Sequence, residues 1–352
     1  MILPSTYLAT LSLMILTMIC WGSWANTQKL SGKWRFELFY FDYSAGVLLA
    51  AVLIAFTFGT LGFDGFATTD DILKAGKRQD LYCFVGGVVF NLANMLLVAA
   101  IALAGMSVAF PIGIGLALLI GVGLNFLIEP SGNPMFLFFG AALVAVAIVF
   151  DALAYRAFAA QKLAQAIKAG VTSSTAMKVS LKGVLISLAS GVLMGSFFPI
   201  VQLAAYREPG NEAGLGPYAR GLIFALGVFS STFVFNLFFM NLPVEGKPIS
   251  GFDYFKGTIR QHLLGIGGGM IWCIGTLASF VAASAEGEAR VGPAVSYGIG
   301  QGATMVGVLW GLLYWKEFAG AEKAVRTRLV IMFSAFLVGL VLLSLAPIFV
   351  SK

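Results

Sequence analysis

Between Arg78 and Arg156 the chain carries no lysine or arginine, and its only acids there are Asp80, Glu129 and Asp151. Apolar stretches this long read as membrane spans, because a helix satisfies its own backbone hydrogen bonds in hydrocarbon. The pattern repeats along all 352 residues, of which 59% are hydrophobic and 11% charged. Soluble domains carry about 25% charged residues. The expected fold is an all-α polytopic membrane protein.

Ten apolar segments are expected, at 5–28, 36–61, 80–104, 107–129, 134–155, 181–206, 216–241, 263–285, 291–315 and 327–350. The first lacks a basic leader and a small-residue cleavage site, so it is expected to be a retained helix. Short loops leave no room for a separate soluble domain. The expected division is a first five-helix unit over 1–155, a cytoplasmic connecting loop over 156–180 and a second five-helix unit over 181–352. The loops on one side hold 15 of the 22 Lys and Arg residues, including Arg156, Lys162, Lys168 and Lys178. The positive-inside rule then places that side in the cytoplasm and both termini outside a plasma (inner) membrane.

The two halves echo each other. Gly86-Gly87 followed by Pro111 recurs as Gly268-Gly269 followed by Pro293, with the same spacing, and Gly22-Ser23-Trp24 recurs as Gly195-Ser196-Phe197. Five helices per half is an odd number, so the second copy enters from the opposite face. That predicts an inverted repeat with a site near the midplane.

Composition also excludes functions. The net charge of +6 lies in short loops, which marks topology rather than nucleic-acid binding. A single histidine and three cysteines within apolar tracts argue against a zinc centre or a disulfide framework. There is no phosphate loop, nucleophile elbow or HExxH motif, so no enzyme is expected. No metal and no cofactor are expected, with protons as the coupling ion.

The candidate site rests on polar and aromatic residues inside apolar tracts. A bare amide in hydrocarbon costs several kcal/mol, so Asn91, Asn94 and Gln301 face either another helix or a wet cavity. Trp21, Trp24, Trp272 and Tyr297 lie within spans and offer stacking faces to a planar or sugar ring, with core packing as the alternative. Asp42 and, second, Asp151 are candidates for proton coupling; otherwise they pair with basic residues such as Arg35 and Arg156. Pro111 and Gly113, with Pro293 and Gly298, mark helices that either bend as gates or pack closely.

The stretches DYSAGVLLAAVLIAFTFG at 42–59, GGVVFNLANMLLVAAIALAGMSVAFPIG at 86–113 and SYGIGQGATMVGVLWGLLYWKEF at 296–318 resemble the plant ureide permeases. These belong to the drug/metabolite transporter superfamily, with bacterial glucose/ribose porters and the rhamnose transporter. The resemblance implies ten helices in two inverted repeats and secondary transport of allantoin-like oxo-heterocycles with protons. The segment PIGIGLALLIGVG at 111–123 reads more like the rhamnose-type transporters. The expected partners are the bilayer and a small, polar, uncharged substrate: a ureide or nucleobase-like heterocycle first, a monosaccharide second. An uncoupled facilitator is the rival class.

Overall fold

The computed structural model describes residues 1–104, 106–168, 181–205, 214–243 and 247–349. Its helices are α1 (Tyr7–Ser23), α2 (Ala25–Leu30), α3 (Phe36–Phe56), α4 (Thr68–Lys74), α5 (Lys77–Ala104), α6 (Met106–Ile128) and α7 (Pro134–Lys168). They continue as α8 (Leu181–Gln202), α9 (Pro217–Asn241), α10 (Ile259–Ala283), α11 (Pro293–Gly300), α12 (Ala303–Leu313) and α13 (Lys323–Leu345). Among the described residues, nine helices are long and apolar enough to cross a membrane, with α1 and α2 forming one continuous span. This is an integral membrane protein of all-helical architecture.

Three boundaries differ from the sequence reading. The first span divides at Trp24, where the helical ladder is interrupted although the backbone stays right-handed. The ninth expected segment is two helices, α11 and α12, separated at Gln301 and Gly302. Glycines at 298, 300 and 302 alternate with Ile299 and Gln301 here, and a Cβ on Gly300 would lie 2.9 Å from the Trp21 ring. The expected connecting loop is partly helix, because α7 runs on through Lys168. Residues 169–180, including Lys178, lie outside the described residues. The helix gains length because 157–168 is rich in Ala, Gln and Lys, all good helix formers.

Glycines set the closest helix crossings. In α3 and α10, a Cβ on Gly46 would lie 2.0 Å from the Ile266 carbonyl oxygen, and one on Gly269 would lie 1.9 Å from that of Tyr43. In α5 and α9, a Cβ on Gly87 would lie 2.1 Å from the Phe224 carbonyl oxygen, and one on Gly227 would lie 2.2 Å from that of Phe84. Lipid offers no hydrophobic drive between helices, so close backbone approach is what holds these pairs. Elsewhere α5 packs on α8, α10 on α1, α6 on α8, and α7 on α13.

Candidate functional site

Helix ends and crossings leave a cavity of about 330 Å³ between α1, α2, α5, α6, α7, α8, α10 and α12. Its apolar wall is aromatic. Trp272 stacks on Phe90 at 4.2 Å between ring centroids and lies nearly parallel to Trp21 at 6.3 Å. The Trp21 ring is pinned, because its Nε1 donates to Thr276 Oγ1 at 3.0 Å and Thr276 in turn donates to the Trp272 carbonyl. Trp24 leans on Tyr43 at 4.9 Å. The rings continue inward without a gap: Phe197 touches Phe90 and Phe224, Phe224 touches Phe280, and Phe280 touches Phe198.

Polar groups punctuate that wall. Asn94 donates from Nδ2 to the Tyr40 hydroxyl at 3.0 Å, which fixes the amide and leaves Oδ1 without a partner among the described residues. Gln301 sits at the break between α11 and α12, and no described group hydrogen-bonds its carboxamide. The mouth is charged. Lys29 pairs with Glu317, Tyr155 donates to Glu317 Oε2 at 3.0 Å, and Trp315 donates to Asn26 Oδ1 at 2.6 Å. Asp151 lines the same end.

The opposite end is sealed. Arg220, 1% exposed, donates to Gln202 Oε1 at 2.5 Å and to the Ser284 hydroxyl, with its guanidinium 5.9 Å from the Phe280 ring. Buried Asp71 accepts from the Gly216 amide at 2.6 Å beside it.

Of the residues singled out from sequence, Trp21, Trp24, Asn94, Trp272, Gln301 and Asp151 line the cavity. Asn91 and Tyr297 do not. Asn91 turns to α9, where Nδ2 donates to Ser231 Oγ at 2.8 Å, Thr232 Oγ1 at 3.1 Å and the Val228 carbonyl at 3.2 Å. Tyr297 is fully buried and ties α11 to α6 and α8 through the Ala117 and Met194 carbonyls. Asp42 lies outside the cavity, accepting from Tyr254 at 2.5 Å and held by His262 Nδ1 at 2.7 Å. Burial and then the Asp42 carboxylate push the Tyr254 hydroxyl above its ordinary range, so it remains a donor. Pro111 lies inside α6, Gly113 packs against Leu97, Pro293 opens α11, and Gly298 makes ordinary contacts with Leu343 and Val122.

Sequence reasoning missed Lys29, Tyr155, Glu317 and Arg220. Loop charges read as solvated, yet Tyr155 stands one helical turn from Asp151, a spacing that marks a shared face. The placement of Asn91 carries a prediction. Asn91→Leu is expected to lower stability by about 1–2 kcal/mol through its lost helix-to-helix bonds, without changing the substrate KM. Thermal unfolding in detergent together with uptake kinetics checks both parts.

A family model described as "Ureide permease" matches residues 39–183. Ureide permease 1 of Arabidopsis thaliana is 23% identical, covering 94% of this chain and 95% of its own length. Ureide permease 4 of the same plant is 24% identical with the same coverage, and probable ureide permease A3 of Vigna unguiculata is 26% identical over 78% of this chain and 88% of its own. A solved chain described as "Crystal structure of protein" shares the fold, with a TM-score of 0.57, 15% identity, and coverage of 99% of this chain and 100% of that one.

Proposed function

We propose, from the premise that the chain is ureide permease-like over nearly its whole length, that it is a secondary active transporter of a ureide or nucleobase-like heterocycle. The observation that carries this reading is the aromatic cavity with two amides, Asn94 and Gln301, in its wall and its charged groups gathered at the mouth. Flat rings suit a planar cargo, while Asn94 Oδ1 accepts an N–H and the Gln301 carboxamide matches a lactam edge with one donor and one acceptor. Neither amide wants a charged ligand. Lys29 and Glu317, the ions at the mouth, neutralise each other.

Transport proceeds by alternating access between two inverted five-helix repeats, with α11 and α12 together making the tenth crossing. Helix pairing supports this: α5 meets α9 and α8 as α10 meets α3 and α1, the arrangement an exchange of halves would produce. The cavity opens beside Lys29 and Glu317, on the side of the lysine- and arginine-rich loops. The state described is therefore open to the cytoplasm, with both termini outside the plasma membrane. Protons are the coupling ion; of the two carboxyls considered from the sequence, Asp151 lines the cavity and Asp42 lies outside it.

The test is uptake by the purified protein in liposomes, with labelled allantoin, uracil, xanthine, rhamnose and glucose, each with and without an inward proton gradient. Gradient-dependent accumulation of a heterocycle is expected. Sugar uptake in its place would transfer the site to a monosaccharide, and equilibration without accumulation would make the protein a facilitator.

A further inference from the structure

The wall of the cavity near its mouth holds more ionisable groups than cargo binding requires. Among the residues lining the cavity, Asp151 and Glu317 are the acids and Lys29 is the cation. Asp151 is 5% exposed, and its Oδ1 has no hydrogen-bond partner. A carboxyl so placed has to be neutralised by a proton, a cation or a donor. Lys29 already pairs with Glu317 and rests 4.3 Å over the Trp315 ring. Tyr155, one turn beyond Asp151 on α7, donates its hydroxyl to Glu317 as well.

The backbone is bent to bring Glu317 there. Lys316 adopts φ 51, the single non-glycine residue with positive φ among those described. That conformation is uncommon for a lysine, and strain of this kind collects at functional sites. The turn returns the chain so that the Glu317 amide donates to the Gly311 carbonyl at 2.9 Å. The Glu317 carboxylate fills the space beside Gly311: a Cβ there would lie 2.9 Å from Glu317 Oε2 and 3.5 Å from the Tyr155 hydroxyl.

The other elements packed around Asp151 add little charge. Helices α6 and α12 contain no ionisable residue, and Tyr297 of α11 is turned to α6 and α8. On α13, Lys323, Arg326 and Arg328 lie in the first turns, and the two arginines each donate to a backbone carbonyl.

We infer that Asp151 and Glu317, which line the same end of the cavity with Tyr155 bonded to Glu317, form the ion-coupling centre of the transporter, with Lys29 holding one carboxylate charged while the other exchanges the transported ion. This rests on the transporter reading above and deepens it: it moves coupling from Asp42, outside the cavity, to a pair that shares the cavity with the cargo. In the cytoplasm-open state Lys29 neutralises Glu317, and the ion carried by Asp151, a proton or a small monovalent cation, leaves into the cavity water. Return of the ion from the other face neutralises Asp151 before the mouth closes.

The experiment separates exchange from coupling. Wild type, Asp151→Asn, Glu317→Gln and Asp42→Asn are reconstituted at full length and loaded with whichever of the five probes wild type exchanges. Counterflow under no ion gradient is compared with accumulation driven by a proton gradient and, separately, by a sodium gradient. One-to-one coupling to a tenfold ion gradient supports about tenfold accumulation. Asp151→Asn and Glu317→Gln are expected to keep counterflow and lose accumulation entirely, while Asp42→Asn keeps both. The gradient that drives wild type identifies the ion. Accumulation by Asp151→Asn at the wild-type level would overturn the inference, as would loss of accumulation in Asp42→Asn alone or loss of counterflow together with accumulation in the cavity variants. Wild-type counterflow without accumulation under either gradient would overturn coupling while leaving transport intact. No counterflow of any probe by wild type would overturn the transporter reading itself, and the coupling centre with it.

Discussion

Gly269→Ala is expected to destabilise the protein by about 3 kcal/mol, the upper end for overpacked interiors. The added methyl would meet the Tyr43 carbonyl oxygen at 1.9 Å and the Val47 amide nitrogen at 2.8 Å, so two backbones rather than a flexible side chain would have to move. Tyr43 also supports Trp24 and lies against Trp272, so a shift of α3 away from α10 reaches the cavity wall. The control is two residues away. A Cβ on Gly267 meets nothing within 4 Å, and alanine there should be neutral or stabilising by roughly 0.5–1 kcal/mol through helix propensity. Melting curves of the two variants in one detergent decide the matter, and equal midpoints would mean the crossing is looser than its geometry.

Asn94→Leu is expected to raise the KM for a heterocyclic substrate roughly tenfold to a hundredfold, the equivalent of about 1–3 kcal/mol for an unmatched polar group. Leucine fills a similar volume, so the fold should survive. What disappears is the acceptor at Oδ1 and the partner of the Tyr40 hydroxyl. Tyr40→Phe separates the two effects, since it keeps the Asn94 amide in the wall while freeing it to turn. Its KM should rise less than that of Asn94→Leu; an equal rise would assign the whole effect to the buried Tyr40 bond.

Much of the architecture is written in the chain because the bilayer narrows the choices. Uninterrupted apolar tracts have one backbone solution, and their lengths locate the spans to within a turn at most ends. The break at Gln301 is harder to read. Glycine-rich helices can stay continuous, and the sequence does not mark the point at which this one divides. The site shows a comparable limit. Asn91 and Asn94 carry the same signal, an amide three residues from another in an apolar tract, yet one faces α9 and the other the cavity. Spacing tells which residues share a face; it does not tell what stands opposite. Tyr297 gives the same lesson, because a phenol bonded to two carbonyls looks no different in sequence from one that lines a cavity. Lys29 and Glu317 come from segments that flank spans, where charge ordinarily belongs to water. Only the fold of the 314–318 turn reveals that Glu317 points inward.

The unbroken run of rings from Trp21 to Phe280 has a mechanical meaning. Phe90 and Phe197 line the cavity and pack on Phe224 behind them, which in turn meets Phe280. Aromatic faces are interchangeable: a ring that slides off one neighbour onto another trades one contact of about 0.5–1.5 kcal/mol for a similar one. Such a layer behaves as a bearing, giving little resistance to rotation while keeping water out at every angle. Under the alternating access proposed above, the friction would sit lower down, where opening would require Arg220 to give up its bonds to Gln202 and Ser284, charge-assisted contacts of about 1.5–3 kcal/mol each. The latch and the bearing would then be separate parts, and substitution at Arg220 would change the tightness of the seal without touching the residues that line the cavity.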